Sequence, residues 1–357
     1  MTAARSAPLA AAPRRPGLPA DGMIAPVLRW TDLTEVPDDF GPSVVTIGNF
    51  DGVHRGHVSV LSRMAEDARA GGARAVAVTF SPHPQQVHRP GAAPALITGD
   101  EDRLELLEQT GLDAVLLLEY TLEFARQTPE EFVRRYLVDG LRARTVVVGR
   151  DVRFGRDNSG DLTTMAELGR RFGFDVEVID DVTGPAGGSV DPVHRRWSSS
   201  WVRELLHDGD VVGAAQVLGR PHRLRGLVVH GDARGRELGY PTANLAADSD
   251  GMVPADGVYA GWLRRSRAAD GTSLPDEPRL PAAISIGTNP TFDGVSRRVE
   301  AYVLDRTDLD LYDQEVVLEL VARLRPTLAF SSVDELVEAM RGDVARARQV
   351  LGVTPPR

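Results

Sequence analysis

The residues best suited to do chemistry fall in two short stretches. The first, Gly48-Asn49-Phe50-Asp51-Gly52-Val53-His54-Arg55-Gly56-His57, follows an apolar β-branched run and opens an amphipathic segment, the pattern of a strand, a turn and a helix start. Gly48 and Gly52 let the backbone approach a ligand, and the unpaired N–H groups of a helix start favour an anion such as phosphate. His54 and His57, three positions apart, share one face of the first helical turn and can address the same anion. The second stretch runs from Val229 to Leu245. Its Gly231, Gly235 and Gly239 permit close approach to phosphates, while Thr242 and Asn244 offer oxygens to a hard cation. A pair of histidines at this spacing is commonly mere surface, and a Gly-rich loop commonly a turn, so position within the fold decides their weight.

Alternation along the chain supplies that position. Ser43 to Ile47, Ala75 to Phe80, Ala114 to Leu118, Thr145 to Val148 and Val176 to Ile179 are short apolar runs suited to buried parallel strands. Amphipathic stretches separate them, at Gly56 to Ala70, Asp102 to Gln109, Pro129 to Val138 and Leu162 to Phe172. The expected fold is an open parallel sheet wrapped by helices, which takes its ligands beyond the carboxyl ends of the strands. The histidines therefore fall where such a fold binds. From Arg225 the texture changes to short strands with Gly, Pro and Asp turns, including Leu227 to His230, Gly257 to Leu263, Ala282 to Ile286, Arg298 to Leu304 and Glu315 to Leu324. That predicts a small antiparallel barrel or sandwich, closed by a helix from Ser332 to Leu351 with Ser331 or Ser332 as its cap.

Composition narrows the chemistry. The 357 residues exceed one usual domain, favouring two, and none of them is cysteine. Thiolate nucleophiles, disulfides and Cys-type zinc or iron–sulfur sites are thereby excluded. Lysine is also absent, so all 41 basic residues are Arg, which excludes Schiff-base chemistry and the P-loop. Phosphates must be met by backbone amides, Arg, His or a metal. A formal charge of -10 argues against a nucleic-acid partner, and no apolar run reaches the length of a membrane span or a signal sequence. Small-molecule partners and a cytoplasmic location are expected, with homo-oligomer formation left open. Residues 1–22, rich in Ala, Pro and Arg, read as a disordered tail with Met23 an alternative start. The division expected is 23–207 for the first domain, 208–219 for a linker helix region and 220–357 for the second.

The GNFDGVHRGH decapeptide resembles the HxGH nucleotidylyltransferase signature in the form found in bacterial bifunctional riboflavin kinase/FAD synthetases. The resemblance implies a Rossmann-like α/β domain in which His54 and His57 stabilise the α-phosphate of ATP during direct in-line transfer, with Gly48, Asn49, Phe50, Gly52 and Gly56 shaping the nucleotide site. Thr79-Phe80-Ser81-Pro82-His83-Pro84 resembles the family's TFxPHP, which implies flavin contact at His83. Val148-Gly149-Arg150-Asp151-Val152-Arg153-Phe154-Gly155 resembles VGxDFRFG, implying adenosine or flavin contacts at Asp151 and Phe154, with Val152 in place of the usual aromatic. Trp197-Ser198-Ser199-Ser200-Trp201-Val202-Arg203 resembles ISSTxIR, departing at Trp197. Hydroxyls at a helix start cap free N–H groups, and with Arg203 one turn on, Ser199 and Ser200 can also hold the departing pyrophosphate.

In the second half, the run from Gly235 to Asn244 is similar to the riboflavin kinase signature GRxLGxPTAN, implying that Gly231, Gly235, Arg236, Gly239 and Pro241 bind ATP and that Thr242 and Asn244 hold the metal, expected to be Mg²⁺. Ser285 to Phe292 and Val299 to Tyr302 resemble SIGxNPTF and VExH/Y, placing Glu300 at the catalytic base and Asn289 at the flavin. Read without the resemblance, Glu300 is a strand carboxylate sharing a face with Arg298 and Tyr302. Leu309 to Tyr312 resembles DLYG, with Asp313 replacing the glycine, and Arg323, Arg325 and Phe330 match the stretch lining the kinase's flavin site. The resemblance implies phosphorylation of riboflavin to FMN by the second module and adenylylation of FMN to FAD by the first. Three alternatives stay open on the sequence: a first module that transfers another nucleotide, one silent module, or a flavin-binding regulator.

Overall fold

The computed structural model describes residues 27–186, 193–231, 235, 238–291 and 294–354. The tail 1–22 and Met23 lie outside them.

The first half builds a parallel sheet from β1 (Leu28–Trp30), β2 (Ser43–Ile47), β3 (Arg74–Ser81), β4 (Ala114–Glu119), β5 (Ala143–Gly149) and β6 (Asp175–Ile179). Their order is β1-β4-β3-β2-β5-β6, with every neighbouring pair parallel. From β2 the chain winds one way to β3 and β4, then crosses back to β5 and β6, so the strand order reverses beside β2. That is the topological switch point at which open α/β sheets bind.

Alternate residues of the strands face opposite layers. Val44, Ala75, Ala77, Val115 and Val147 pack on α1 (Arg55–Ala70) and α3 (Asp100–Glu108) through Leu61, Met64, Leu104 and Leu107. Val45, Val76, Val78, Leu116, Val146 and Val148 pack on the other side against Phe132, Tyr136, Leu137, Met165 and Leu168. Burial on both faces is what near-continuous apolar strands require. The expected helix from Pro129 forms as α4 (Pro129–Phe132) and then widens into a π-helical turn over Val133–Gly140. A five-residue α2 (Pro84–His88) follows β3, α5 (Leu162–Phe172) precedes β6, and β7 (Thr183–Ala186) pairs with β8 (Val193–Arg196).

Two helices lead to the second half, α6 (Ser199–His207) and α7 (Val211–Leu218). They share an apolar cluster with the barrel: Trp201, Val202, Leu206, Val211, Val217 and Leu218 bury against Leu224, Leu263, Ile284 and Leu318. The segment expected as a linker, 208–219, thus packs its helix α7 against the barrel.

The barrel closes in the order β10-β13-β12-β11-β14-β9, from β9 (His222–Val229), β10 (Thr242–Leu245), β11 (Gly257–Arg267), β12 (Leu280–Thr291), β13 (Gly294–Val303) and β14 (Glu315–Arg325). Every pairing is antiparallel. The sequence pattern reads Thr242 to Leu245 as loop; pairing on both sides, with β9 and β13, makes it a strand. The closing helix α8 (Val333–Leu351) is capped by Ser332, whose side chain accepts from the Glu335 N–H.

The two halves meet at a buried ion cluster. Arg225 of β9 reaches Asp102 of α3 at 2.5 Å, Glu105 at 2.7 Å and Glu315 of β14 at 3.1 Å, and the Arg225 and Asp102 side chains are only 5% and 3% exposed. Arg225→Met leaves Asp102 buried without its counter-charge, and is expected to cost about 3–5 kcal/mol in urea unfolding, recovered in part by adding Asp102→Asn.

Candidate active sites

His54 is the N-cap of α1, and its Nδ1 accepts the His57 backbone N–H at 3.3 Å. This cap turns the His54 ring onto that of His57, and the two stack with centroids 3.7 Å apart and planes 19° from parallel. Gly56 makes room for the arrangement, since a Cβ there would stand 3.1 Å from the His54 ring. Phe50 closes the other side of His57, edge to face at 5.3 Å. The pair sits directly after β2, at the switch point.

Burial sets the charge state of both rings. Desolvation, with Arg196 and Arg220 nearby, pushes His54 down to about 4, and desolvation with His54 and Arg196 holds His57 well below the usual imidazole range. The His57 Nδ1 is buried without a hydrogen-bond partner. In the barrel, His222 is likewise pushed down to about 4 by burial, although its Nε2 donates to the Met252 carbonyl at 2.7 Å. The unfolded chain takes up such protons near pH 6.5, whereas the folded chain resists to about 4. Stability present above 6.5 should therefore erode as pH falls and level off below 4. Roughly 2 kcal/mol from each of His54 and His222 is expected between about pH 7 and 4.5 in urea unfolding, and His222→Gln should remove its share.

Beneath the histidines the turn is held by Asp51, which is 3% exposed. Its carboxylate accepts from the Ile97 N–H at 2.9 Å and the Thr98 N–H at 3.1 Å, and pairs with Arg203. Arg203 also donates to the Ala95 carbonyl at 2.8 Å, so in this structure its guanidinium fastens α6 to the turn. Ser199 adds a bond from its hydroxyl to the Asp51 carbonyl at 2.8 Å, Ser198 caps α6, and Ser200 is exposed beside them. Arg103, 1% exposed, donates to the Asn49 carbonyl at 3.1 Å and the Phe80 carbonyl at 2.8 Å, which ties together the carboxyl ends of β2 and β3. Asp51, Thr98 and Arg103 were not singled out by sequence. Nothing local marks these partners, which lie 23 to 152 positions away.

His83 caps α2 through Nδ1 and is 6% exposed, close enough to Asp51 and Arg203 for their charges to act on it. Asp151 is exposed and paired with Arg196 at 3.1 Å. Phe154 is 6% exposed and packs among Phe132 and the aliphatic core, so its ring is a core side chain here. Trp197 packs under Arg55, whose guanidinium lies 5.9 Å from the ring. Beyond Ser81 and Asp100 opens a groove of about 1320 Å³, walled by Leu117, Glu119, Phe124, Arg126 and Tyr136. Neither His83 nor Phe154 lines it.

In the barrel, register brings the second set together. Asn244 stands directly opposite Glu300, and Thr242 opposite Tyr302, across the β10–β13 pair. The Thr242 hydroxyl lies 3.4 Å from Glu300 Oε2, and the Asn244 Nδ2 donates to the Thr242 carbonyl at 3.3 Å. A Cβ at Gly231 would fall 2.5 Å from the Asn244 amide, so the glycine backbone forms the floor of this cradle. Gly235 and Gly239 frame the turn into Tyr240 and Pro241, with the Tyr240 N–H donating to the Gly235 carbonyl at 2.7 Å. Arg236 and the side chain of Asn289 lie outside the described residues. Arg323 donates to the carbonyls of Asp208 and Asp256, and Arg325 forms a two-pronged pair with Asp343 of α8 at 2.8 and 3.0 Å while its guanidinium lies 5.7 Å from the Phe330 ring. Asp313 adopts φ 59°, the left-handed conformation in which the family's glycine is at ease and which Asp tolerates well.

Glu300, Thr242 and Asn244 form a set of hard oxygen donors with no soft or imidazole ligand, which fits a divalent cation that shares its shell with water and phosphate. No group of three or more His, Cys, Asp or Glu residues suited to a metal is present among the described residues, so a cage made by protein carboxylates alone is not what these residues offer.

Fold and sites together define a two-domain nucleotide-handling enzyme, in which a switch-point histidine pair and a barrel carboxylate with neighbouring oxygen donors occupy separate domains. Residues 36–188 match the FAD synthetase family model and residues 218–351 the riboflavin kinase model. The chain is 34% identical over 325 residues to the bifunctional riboflavin kinase/FMN adenylyltransferase of Escherichia coli K12, covering 91% of this chain and 97% of that one. It is 37% identical over 312 residues to the protein of the same description from Pseudomonas fluorescens, covering 85% and 92%. A crystal structure from Streptococcus pneumoniae, described as a macrolide-efflux protein, superimposes with a TM-score of 0.73 at 28% identity, covering 91% of this chain and 99% of that one. The chain belongs to the bifunctional riboflavin kinase/FMN adenylyltransferase family, and both of the family's domains are present. Among the described residues no helix is long and apolar enough to cross a membrane.

Proposed function

We propose that this chain converts riboflavin to FAD in two ATP-dependent steps at two separate sites. The observation that carries the reading is the register of β10 against β13, which sets Glu300 within 3.4 Å of the Thr242 hydroxyl and opposite Asn244, in the same chain as the stacked His54–His57 pair.

In the barrel, Glu300 accepts the proton of the ribityl hydroxyl as that oxygen attacks the γ-phosphorus of ATP, and ADP departs. Thr242 and Asn244 would hold the cation, expected to be Mg²⁺, and Gly231, Gly235, Arg236, Gly239 and Pro241 would shape the backbone around the phosphates. When bound, the cation supplies positive charge to the phosphoryl oxygens. Asn289, Arg323, Arg325 and Phe330 border the flavin, with Arg325 fixed against Asp343 so that the Phe330 edge stays in place.

In the α/β domain an FMN phosphate oxygen attacks the α-phosphorus of a second ATP, and the bond to the β-phosphate breaks to release pyrophosphate. His54 and His57 donate to the α-phosphate oxygens, whose negative charge raises the affinity of both rings for protons. Gly48, Asn49, Phe50, Gly52 and Gly56 form the nucleotide cradle, Asp151 lies toward the adenosine, and Ser199, Ser200 and Arg203 lie toward the pyrophosphate. The groove beyond Ser81 is large enough for the flavin of FMN, with His83 and Phe154 supporting its surroundings. Small-molecule substrates and a cytoplasmic setting accord with an acidic chain, and residues 23–207 and 220–357 would be the two functional units.

Incubation with riboflavin and MgATP, with products separated by chromatography, should yield FMN and then FAD, and supplied FMN with MgATP should yield FAD with pyrophosphate. Formation of FMN alone would make the α/β domain silent. A flavin–nucleotide product formed only with another nucleoside triphosphate would reassign its substrate, and flavin binding without turnover would leave a regulator.

A further inference from the structure

The turn that delivers His54 is conformationally costly. Phe50, Gly52 and Val53 have φ of 47°, 81° and 36°, and for a β-branched residue such as Val53 the left-handed region is a true outlier. Strain of this kind persists only where the surroundings over-determine it. Inside the α/β domain the turn is held by the Val53 N–H on the Phe50 carbonyl at 3.0 Å and by the Gly52 N–H on the Thr98 hydroxyl at 3.1 Å. Its two outward carbonyls are held from elsewhere. Arg220, just past α7 and at the entry to the barrel, donates to the Gly52 carbonyl at 2.7 Å and the Val53 carbonyl at 3.1 Å, and also to the Leu218 carbonyl at 3.3 Å. Leu218 itself abuts Gly52, where a Cβ would stand 3.3 Å from its side chain.

We propose that Arg220 is a positioning residue for adenylyl transfer, acting from the barrel side on the strained turn that sets the His54–His57 pair. The proposal rests on the adenylyltransferase reading above. The planar guanidinium suits the task because its rigid fork presents one N–H group to each of two successive carbonyls, whereas an ammonium on a flexible stem fixes no such geometry. Burial pushes Arg220 down to about 10, so it keeps its proton at neutral pH while lending its charge to a site that receives phosphates. One face of the adenylyl-transfer site is thus built by the chain that begins the kinase barrel.

The test uses the full chain with Arg220→Met and Arg220→Lys, each assayed for FAD formation from FMN and for FMN formation from riboflavin. With Arg220→Met the kcat of FAD formation should fall by ~10 to 100-fold, as misplacement of catalytic groups by about an ångström allows, with the KM for FMN changed less than about threefold and kinase turnover within about twofold. Arg220→Lys, which keeps the charge and the donors but not the planar fork, should recover part of the loss. Unchanged kcat in either variant would overturn the proposal. So would parallel loss of both activities with a lowered melting temperature, which would make Arg220 an interdomain strut. Should Arg220→Met fail to fold, Arg220→Lys alone decides, since full kcat there contradicts the need for the fixed two-pronged fork. Failure of the wild-type chain to make FAD from FMN would refute the adenylyltransferase reading instead.

Discussion

Glu300→Ala is expected to lower FMN formation from riboflavin by about 10²–10⁴-fold, the usual contribution of a positioned general base, while FAD formation from supplied FMN stays within about twofold. The separation follows from the architecture. Glu300 lies on β13 of a closed barrel, whereas the histidine pair opens α1, the helix that follows β2 of the parallel sheet. A solvent-facing strand glutamate would tolerate the same change with little effect on either activity. Glu300→Gln sharpens the result: it keeps the shape of the side chain and a hydrogen-bonding atom for Thr242, but it cannot take a proton. If the Glu300→Gln variant retained most of the kinase rate, Glu300 would be a spacer for the Thr242–Asn244 cradle and the base would lie elsewhere. If FAD formation from FMN fell in parallel in well-folded protein, the assignment of the two steps to two sites would be wrong.

His54 carries the second large effect, and its choice of substitution matters because the residue has two roles. It caps α1 as well as stacking on His57, and loss of the cap alone costs about 1 kcal/mol. Asn keeps an acceptor for the His57 N–H, so His54→Asn isolates the imidazole's part in transfer. FAD formation should fall about 10²–10³-fold, comparable with removal of one donor to a developing anion, and kinase activity should be unchanged. His57→Asn should cost a similar factor. Because the rings are stacked and act on one phosphate, the double substitution should cost little more than either single one. Additive losses would instead indicate two separate contacts, and full activity in His54→Asn would reduce the residue to a helix cap.

Local pattern carried much of this outcome. The strand at Ser43 to Ile47 and the helices at Leu162 to Phe172 and after Ser332 were legible from periodicity and capping alone, because burial on one or two faces imposes its repeat on neighbouring residues. The three-residue edge strand Leu28–Trp30 and the strand status of Thr242–Leu245 were not. Both are too short to show a period and exist through pairing with distant strands. The π-helical turn after Phe132 is likewise a property of packing rather than of composition.

The candidate sites divide along the same line. By itself the sequence determined which side chains are available, excluding thiol and lysine chemistry, and it set His54 beside His57, since residues three apart in a helical turn share a face. Only the tertiary structure decided their neighbours. It placed Glu300 across from Asn244, engaged Arg203 with Asp51, buried Phe154 in the core, joined α6 and α7 to the barrel, and brought Arg220 to the turn before His54. The physical reason is that backbone geometry relates near residues through fixed angles, whereas a partner such as Gly52 for Arg220, 168 positions away, is selected by strand register and by which surfaces must bury together.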